Sequence, residues 1–311
     1  MKISFVIPCY NEGANIDNLI VELKRVEGKL PSYDFEFLLV DDGSSDNTLE
    51  LIKRAAQMER SVEYIGLSRN FGKEATMLAG FRHATGDYIG VMDADLQHPP
   101  EVIPQFVEAL NSGYDMVATR RVDRKGASGR YNFGANIFYK LINFFGDDVK
   151  LDNGVQDFRL MRRSVVESIL SLPESSRFSK GIFSWVGYKT HTIEVEDRPR
   201  VAGETKWSLF KSIRYGLDGL VSFSTVPLRI STFLGIIASA AGFIYAIYIV
   251  VKTLVSGIDA PGFATLACLI LIMGGLNLLF LGVLGEYIGR IYKETKRRPL
   301  YLIRESSLKQ K

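Results

Sequence analysis

Two hydrophobic periods take turns along the first 120 residues. Short apolar runs with strand character fall at residues 2–8, 35–40, 62–67, 88–92 and 115–118. Between them, apolar residues recur every three or four positions, the spacing of a helix with one buried face. Residues 14–26 show it most plainly, with Ile16, Leu19, Ile20 and Leu23 on one stripe, and residues 47–58 and 73–83 repeat it. Pro99-Pro100-Glu101 opens a further helix with proline in its first turn. Strand and helix in alternation predict an α/β domain built on a mostly parallel, Rossmann-like sheet.

The pattern changes near residue 230. Residues 230–251 and 263–284 are two runs of 22 residues without a charge. At about 1.5 Å per residue each helix reaches roughly 33 Å, one hydrocarbon thickness. A pair of buried core helices is the alternative. The short connection at 252–262 makes the pair a two-helix transmembrane hairpin, with spans at about 230–251 and 263–288. Basic residues flank it at Arg214 and Arg229 before, and at Arg290, Lys293, Lys296, Arg297 and Arg298 after, whereas the connection offers only Lys252. That asymmetry predicts a multi-pass protein with both termini and the α/β domain in the cytoplasm. An N-terminal signal peptide is not expected, because Asn11 and Glu12 interrupt the first apolar run.

Upstream of the hairpin, Leu209, Phe210, Ile213, Leu217 and Leu220 recur at helical spacing, with Lys211 and Arg214 elsewhere on the wheel. This predicts an amphipathic juxtamembrane helix, with a core-facing helix as the alternative. Gly285 and Gly289 have the small-xxx-small spacing of close helix approach. It serves either packing within the hairpin or a homo-oligomer. The expected organisation is a catalytic domain at 1–206, the juxtamembrane helix at 207–228, the hairpin at 229–289 and a basic cytoplasmic tail at 290–311.

Composition narrows the class. The chain has 311 residues, 47% apolar and 23% charged, which excludes a disordered or fibrous protein. The net charge of +3 is concentrated in residues 289–311, where eight basic residues face two acidic ones. The part before the hairpin is close to neutral, which argues against a nucleic-acid partner. Cys9 and Cys268 form no metal spacing.

Polar residues cluster where the predicted strands end: Tyr10-Asn11-Glu12, Asp41-Asp42 and Asp93-Ala94-Asp95. In open α/β sheets the ligand crevice lies outside that edge. The glycine-rich loops of dinucleotide dehydrogenases and P-loop NTPases are absent, as is the G-x-S-x-G elbow of hydrolases. A nucleotide site built on carboxylates remains. Asp93 and Asp95, two apart at a strand end, suit a hard cation such as Mg²⁺ or Mn²⁺ shared with substrate phosphates, and Gln97 adds an amide oxygen. Taken by itself, a D-x-D is often only turn chemistry.

Five strings occur in order: Val6-Ile7-Pro8-Cys9-Tyr10-Asn11-Glu12, Val40-Asp41-Asp42-Gly43-Ser44-Ser45-Asp46-Asn47-Thr48, Asp93-Ala94-Asp95-Leu96-Gln97-His98-Pro99-Pro100-Glu101, Gln156-Asp157-Phe158-Arg159-Leu160-Met161 and Gly203-Glu204-Thr205-Lys206-Trp207-Ser208. In them the chain resembles the family 2 glycosyltransferases. Within that family it is similar to the polyprenyl-phosphate glycosyltransferases, such as dolichol-phosphate mannose synthases and bacterial bactoprenol glucosyltransferases. Glu204-Thr205 departs from the pattern, since many members carry a serine before the lysine.

The resemblance implies a GT-A fold and inverting transfer from a nucleotide sugar, with UDP-glucose favoured, to polyprenyl phosphate at a bacterial inner membrane. It implies that Pro8, Tyr10, Glu12 and Asp42 hold base and ribose, with Asn11 and Val40 also in the nucleotide-sugar site. Asp93, Asp95 and Gln97 would hold the metal, beside Ala94, and Arg200 and Lys206 would close on the diphosphate, unless they are membrane-surface charge. Asp157 matches the catalytic aspartate, with Asp95 beside it. The alternative for Asp157 is a cap or a salt bridge with Arg159.

A lipid phosphate is largely dianionic at neutral pH, with its second pKa near ~6, so the acceptor needs charge neutralisation more than a base. Arg120, Arg121, Arg124 and Arg130, expected just after the last sheet strand and ahead of an aromatic helix from residue 131, suit that task. A flippase and a downstream glycosyltransferase would be functional partners. A processive polysaccharide synthase is disfavoured by the missing Q-x-x-R-W string and by only two spans. A silent scaffold that binds nucleotide sugars is the remaining alternative.

Overall fold

The computed structural model describes residues 1–121, 154–196, 225–256 and 262–308. Arg124, Arg130, Arg200, Lys206, the aromatic stretch after residue 131 and the juxtamembrane segment 207–224 lie outside the described residues.

Among the described residues eight strands form one sheet: β1 (Lys2–Cys9), β2 (Asp34–Asp41), β3 (Val62–Leu67), β4 (Tyr88–Val91), β5 (Met116–Arg121), β6 (Val155–Arg162), β7 (Thr190–Val195) and β8 (Ile303–Ser306). Their order is β7-β5-β6-β4-β1-β2-β3-β8. The neighbours among β1, β2, β3 and β4 are parallel, as is β5 with β7. β6 enters antiparallel between β4 and β5, and β8 pairs antiparallel with β3.

The helices α1 (Gly13–Lys29), α2 (Thr48–Met58), α3 (Lys73–His83) and α4 (Ile103–Asn111) follow the first four strands. A 3-10 turn at Pro100–Val102 leads into α4. After β6 come α5 (Arg163–Ser171) and α6 (Ser179–Trp185).

The strand period of two sorts the core into two layers. Phe5, Ile7, Phe37 and Leu39 face α1, α2 and α4, where Leu19, Leu23, Ile52 and Phe106 are fully buried. Val6, Leu38 and Val40 face the other side, with Met77 of α3, Val165 of α5 and Ile182 of α6. A Cβ at Gly80 would run into the Val6 side chain, so glycine lets α3 lie close on β1. One carboxylate is built into the sheet: Glu36 accepts from Lys2 Nζ at 2.7 Å, from the Thr85 N–H at 2.8 Å and from the Ser4 hydroxyl.

Two further helices, α7 (Val226–Ser256) and α8 (Phe263–Lys296), are apolar and long enough to cross a membrane. None of their most apolar stretch is buried in the protein. Helices of a soluble core would be covered, so that alternative fails. Both extend beyond the uncharged runs, because a helix does not stop at the end of its apolar stretch. Gly235 of α7 approaches Phe280 of α8, whereas a Cβ at Gly285 or Gly289 would meet nothing within 4 Å. Among the described residues, Gly285 and Gly289 therefore do not lie at a close contact between the two helices.

The segment expected as a basic tail is largely structured. Residues up to Lys296 continue α8, and β8 completes the sheet edge. There Glu305 pairs with Lys53 at 2.5 Å, and the Ser307 hydroxyl accepts the Tyr64 N–H at 2.8 Å. The basic residues Lys293 and Lys296 sit in the last turns of α8, and Arg297 ends it in a left-handed conformation.

Candidate active site

β1 and β2 end side by side, with Cys9 opposite Asp41. β4 ends at Val91 on the same edge, and β6, running the other way, begins there. Val91 lies opposite Arg159 across the β4–β6 ladder. Two more steps of that antiparallel register set Asp93 opposite Asp157, two acids far apart in sequence.

Lys73 stands between them. Its Nζ is 2.6 Å from Asp93 Oδ1 and 2.8 Å from Asp157 Oδ2. It is the first residue of α3, and the loop before it is anchored to Asp42, whose carboxylate accepts the N–H groups of Phe71 and Gly72 at 2.7 and 2.9 Å. Asp42, expected to touch the nucleotide, thus also fixes the loop that aims Lys73. Lys73 is the principal site residue that the motifs do not reveal. Its signal is positional: a lysine opening the helix after β3 starts from the same sheet edge.

Burial alone would raise the Asp157 pKa. The positive charges of Lys73, Lys180 and Arg159 outweigh it and hold the carboxyl well below the usual range. Burial would likewise strip charge from Lys73, but Asp157 and Asp93 overcome this and raise its pKa. Both groups are ionised at neutral pH. Arg159 is not the carboxylate partner of Asp157. Its guanidinium donates to the Asp157 and Gln156 carbonyls at 3.1 and 2.7 Å and packs 3.6 Å over the Phe183 ring. Burial brings its pKa down to about 10. Asp157 Oδ1 is buried and has no hydrogen-bond partner among the described residues. A buried acceptor left this way costs about 1–3 kcal/mol, and a ligand atom would relieve it.

From Asp93 to Gln97 burial alternates. Ala94 and Leu96 are buried in the core, while Asp93, Asp95 and Gln97 are only partly covered. Leu96 adopts φ +55°, a left-handed conformation that leucine seldom takes, and Asp95 Oδ1 accepts the Gln97 N–H at 3.2 Å inside this turn. His98 Nε2 approaches Asp93 to 3.9 Å, and its ring stacks on Phe158.

The floor of the site is made by two stitched loops. The Asn11 N–H donates to Ser44 Oγ at 2.9 Å, and the Asn11 side-chain oxygen accepts the Ser45 N–H at 2.8 Å. The Glu12 N–H donates to Thr48 Oγ1 at 2.8 Å, and the Glu12 carboxylate accepts from Asn15. Gly43 has φ +65° and lies against the Arg69 main chain, where a Cβ would not fit. Pro8 is half-buried and Tyr10 exposed beside this floor. Val40 is wholly buried in the core, which leaves only its main chain for a ligand.

Among the described residues no three acidic, histidine or cysteine side chains close around one point. A Mg²⁺ or Mn²⁺ site that uses one or two carboxylates with substrate phosphates and water needs no such cage. The all-oxygen donor set of Asp93, Asp95 and Gln97, with the unsatisfied Asp157 oxygen nearby, fits such an ion.

Arg120 and Arg121 correct one expectation. They do not follow the last strand but lie within β5, and β6, β7 and β8 come after it. Arg120 is opposite Val155, two residues from Asp157, and the Arg121 N–H donates to the Gly154 carbonyl at 3.0 Å.

The acid-lined strand edge on a mostly parallel sheet lies in the part of the chain that a glycosyltransferase family model matches. The Glycosyl transferase family 2 model matches residues 4–170, more than half of the chain, and the GtrB C-terminal hairpin model matches residues 226–291. The chain belongs to glycosyl transferase family 2 and has the GT-A-type fold. It is 46% identical over 309 residues to CsbB of Bacillus subtilis, covering 99% of this chain and 93% of that protein. It is 43% identical over 304 residues to the prophage bactoprenol glucosyl transferase homolog of Escherichia coli, covering 98% and 99%. Among solved structures, mannosyl-3-phosphoglycerate synthase from Rubrobacter xylanophilus is similar at a TM-score of 0.49 and 16% identity, over 70% of this chain and 71% of that one.

Proposed function

We propose that the protein transfers a sugar from a nucleotide sugar, with UDP-glucose the favoured donor, to polyprenyl phosphate, with inversion at the anomeric carbon. The catalytic domain and both termini face the cytoplasm, and α7 and α8 span the inner membrane. The observation that carries this reading is the Asp93–Lys73–Asp157 constellation at the strand edge, in a chain that also holds two uncovered apolar helices. The relatives named for bactoprenol glucosyl transfer support the acceptor. A flippase and a second glycosyltransferase would then use the lipid-linked product.

In this reading Tyr10, Asn11, Glu12 and Asp42 receive the base and ribose on the stitched floor. Asp93, Asp95 and Gln97 would hold a divalent ion, which when bound would supply positive charge beside the donor diphosphate. Arg200 and Lys206 add charge on the same group. The acceptor phosphate is itself the nucleophile. Arg120, Arg121 and Arg130 offset its repulsion from the donor. Asp157, kept ionised by Lys73, orients acceptor or sugar through its unsatisfied oxygen and has no need to take a proton. The bond from the anomeric carbon to the donor phosphate breaks as the bond to the acceptor phosphate oxygen forms.

The test is to incubate the purified full chain with labelled UDP-glucose, undecaprenyl phosphate and Mg²⁺ or Mn²⁺. A labelled lipid monosaccharide that extracts into organic solvent is the expected product. A polymer or no product overturns the proposal.

A further inference from the structure

A cavity of about 300 Å³ lies outside the strand-edge site, in the seam between the catalytic domain and the end of α8. Phe71 lines it from the loop before α3, Glu74 from the first turn of α3, Arg177 and Phe178 from the segment between α5 and α6, and Arg290 and Lys293 from α8. Three cations from two separate elements thus surround one space with aromatic walls.

Most of the nearby acids have partners outside the cavity, and Glu174 interacts with Arg177. Glu74 accepts the Ser179 N–H at 3.0 Å, and Glu294 accepts the N–H groups of Ser175 and Ser176 at 2.8 and 3.2 Å. Glu286 pairs with Arg290 at 3.3 Å. Arg177 donates to the Ile169 and Leu172 carbonyls, fixing its guanidinium in the wall. Lys293 is exposed and has no acidic partner among the described residues.

The height of the cavity narrows its ligand. Arg290 is six residues beyond Leu284, where the uncharged run of α8 ends, hence roughly 9 Å further along the axis. If α8 spans a hydrocarbon layer of about 30 Å within a bilayer of about 40–45 Å, that is the level of the lipid phosphates. A basic pocket with apolar walls at that height suits a phosphate carried on an apolar chain.

We propose that this cavity binds the phosphate headgroup of a lipid. The assignment rests on the membrane-spanning reading of the hairpin. Lys73 lies between Phe71 and Glu74 in sequence, so the cavity adjoins the turn from which Lys73 reaches Asp93 and Asp157.

The test uses the full chain in detergent micelles and measures binding of undecaprenyl phosphate, phosphatidylglycerol, uncharged undecaprenol and inorganic phosphate. The wild-type chain is expected to retain a phosphate-bearing lipid and to bind undecaprenol far more weakly. R290Q/K293Q should weaken lipid binding by about 30-fold, taking each surface cation at its usual contribution. R290K/K293R should restore it, and unchanged nucleotide-sugar binding would show that both variants are folded. Preference for undecaprenyl phosphate assigns the site to an isoprenoid phosphate, and preference for phosphatidylglycerol to a bilayer lipid; either supports the proposal. Unchanged lipid retention in R290Q/K293Q, equal binding of undecaprenol, or inorganic phosphate binding as tightly as the lipids overturns it. Sugar transfer measured in the same micelles separates the two readings. Loss of all transfer in the wild-type chain overturns the proposed function, while intact transfer with unaltered retention in R290Q/K293Q overturns the cavity alone.

Discussion

Lys73 Nζ lies 2.8 Å from Asp157 Oδ2 while also holding Asp93 at 2.6 Å. One ammonium group thereby ties the D-x-D loop to the acid on the antiparallel strand. Its replacement should loosen both. Lys73→Ala is expected to lower kcat by about 10²-fold, the usual cost of losing one preorganised charge in such a site. Lys73→Arg should recover part of it. Steady-state kinetics with a thermal-unfolding control would check this, and a Lys73→Ala enzyme of normal kcat would remove Lys73 from the machinery.

Asp95→Ala should abolish turnover, and chelation of divalent ions should do the same to the unaltered enzyme, reversibly on adding Mg²⁺ or Mn²⁺. Asp95 also caps the turn through the Gln97 N–H, so Asp95→Asn serves as the second variant, keeping that acceptor while removing the charge. Full activity of Asp95→Asn in the presence of chelator would contradict the metal assignment.

Glu36 gives a pH dependence of stability. Burial pushes its pKa up, but the donors from Lys2, Ser4 and Thr85 outweigh burial and hold it lowered. A carboxyl lowered in the folded state contributes stability above its ordinary pKa and loses it as pH falls through the folded value. Unfolding of the wild-type chain should therefore become easier as pH drops below about 4.3. Glu36→Gln should cost about 1–3 kcal/mol at pH 7 and flatten that acid response. Urea titrations at pH 7 and at low pH would measure both.

Truncation after Arg298 removes β8 and the Lys53–Glu305 pair and opens the β3 edge. The midpoint of thermal unfolding should fall by at least about 5 °C, and the exposed edge should promote aggregation. An unchanged midpoint would mean that β8 does not contribute to the domain.

The parallel half of the sheet was legible because burial on both faces leaves continuous apolar runs. Residues 62–67 and 73–83 are a strand and a helix as the pattern predicts. β6, β7 and β8 were harder. β6 carries Gln156, Asp157 and Arg159 among its residues, and only its register against β4 explains why charged groups sit there. β8 is four residues of mostly polar sequence at an edge, with no hydrophobic face to announce it. The acids at the strand ends were visible as motifs. Their partner Lys73 was not, since its role arises only where α3 begins against two strands distant in sequence.

The chain leaves the catalytic domain, makes two long apolar helices and then comes back to lay its eighth strand beside β3. A ribosome therefore finishes the sheet only after both helices have been made. Until then β3 is an open edge, and the domain closes in the same act that commits the hairpin to a definite place.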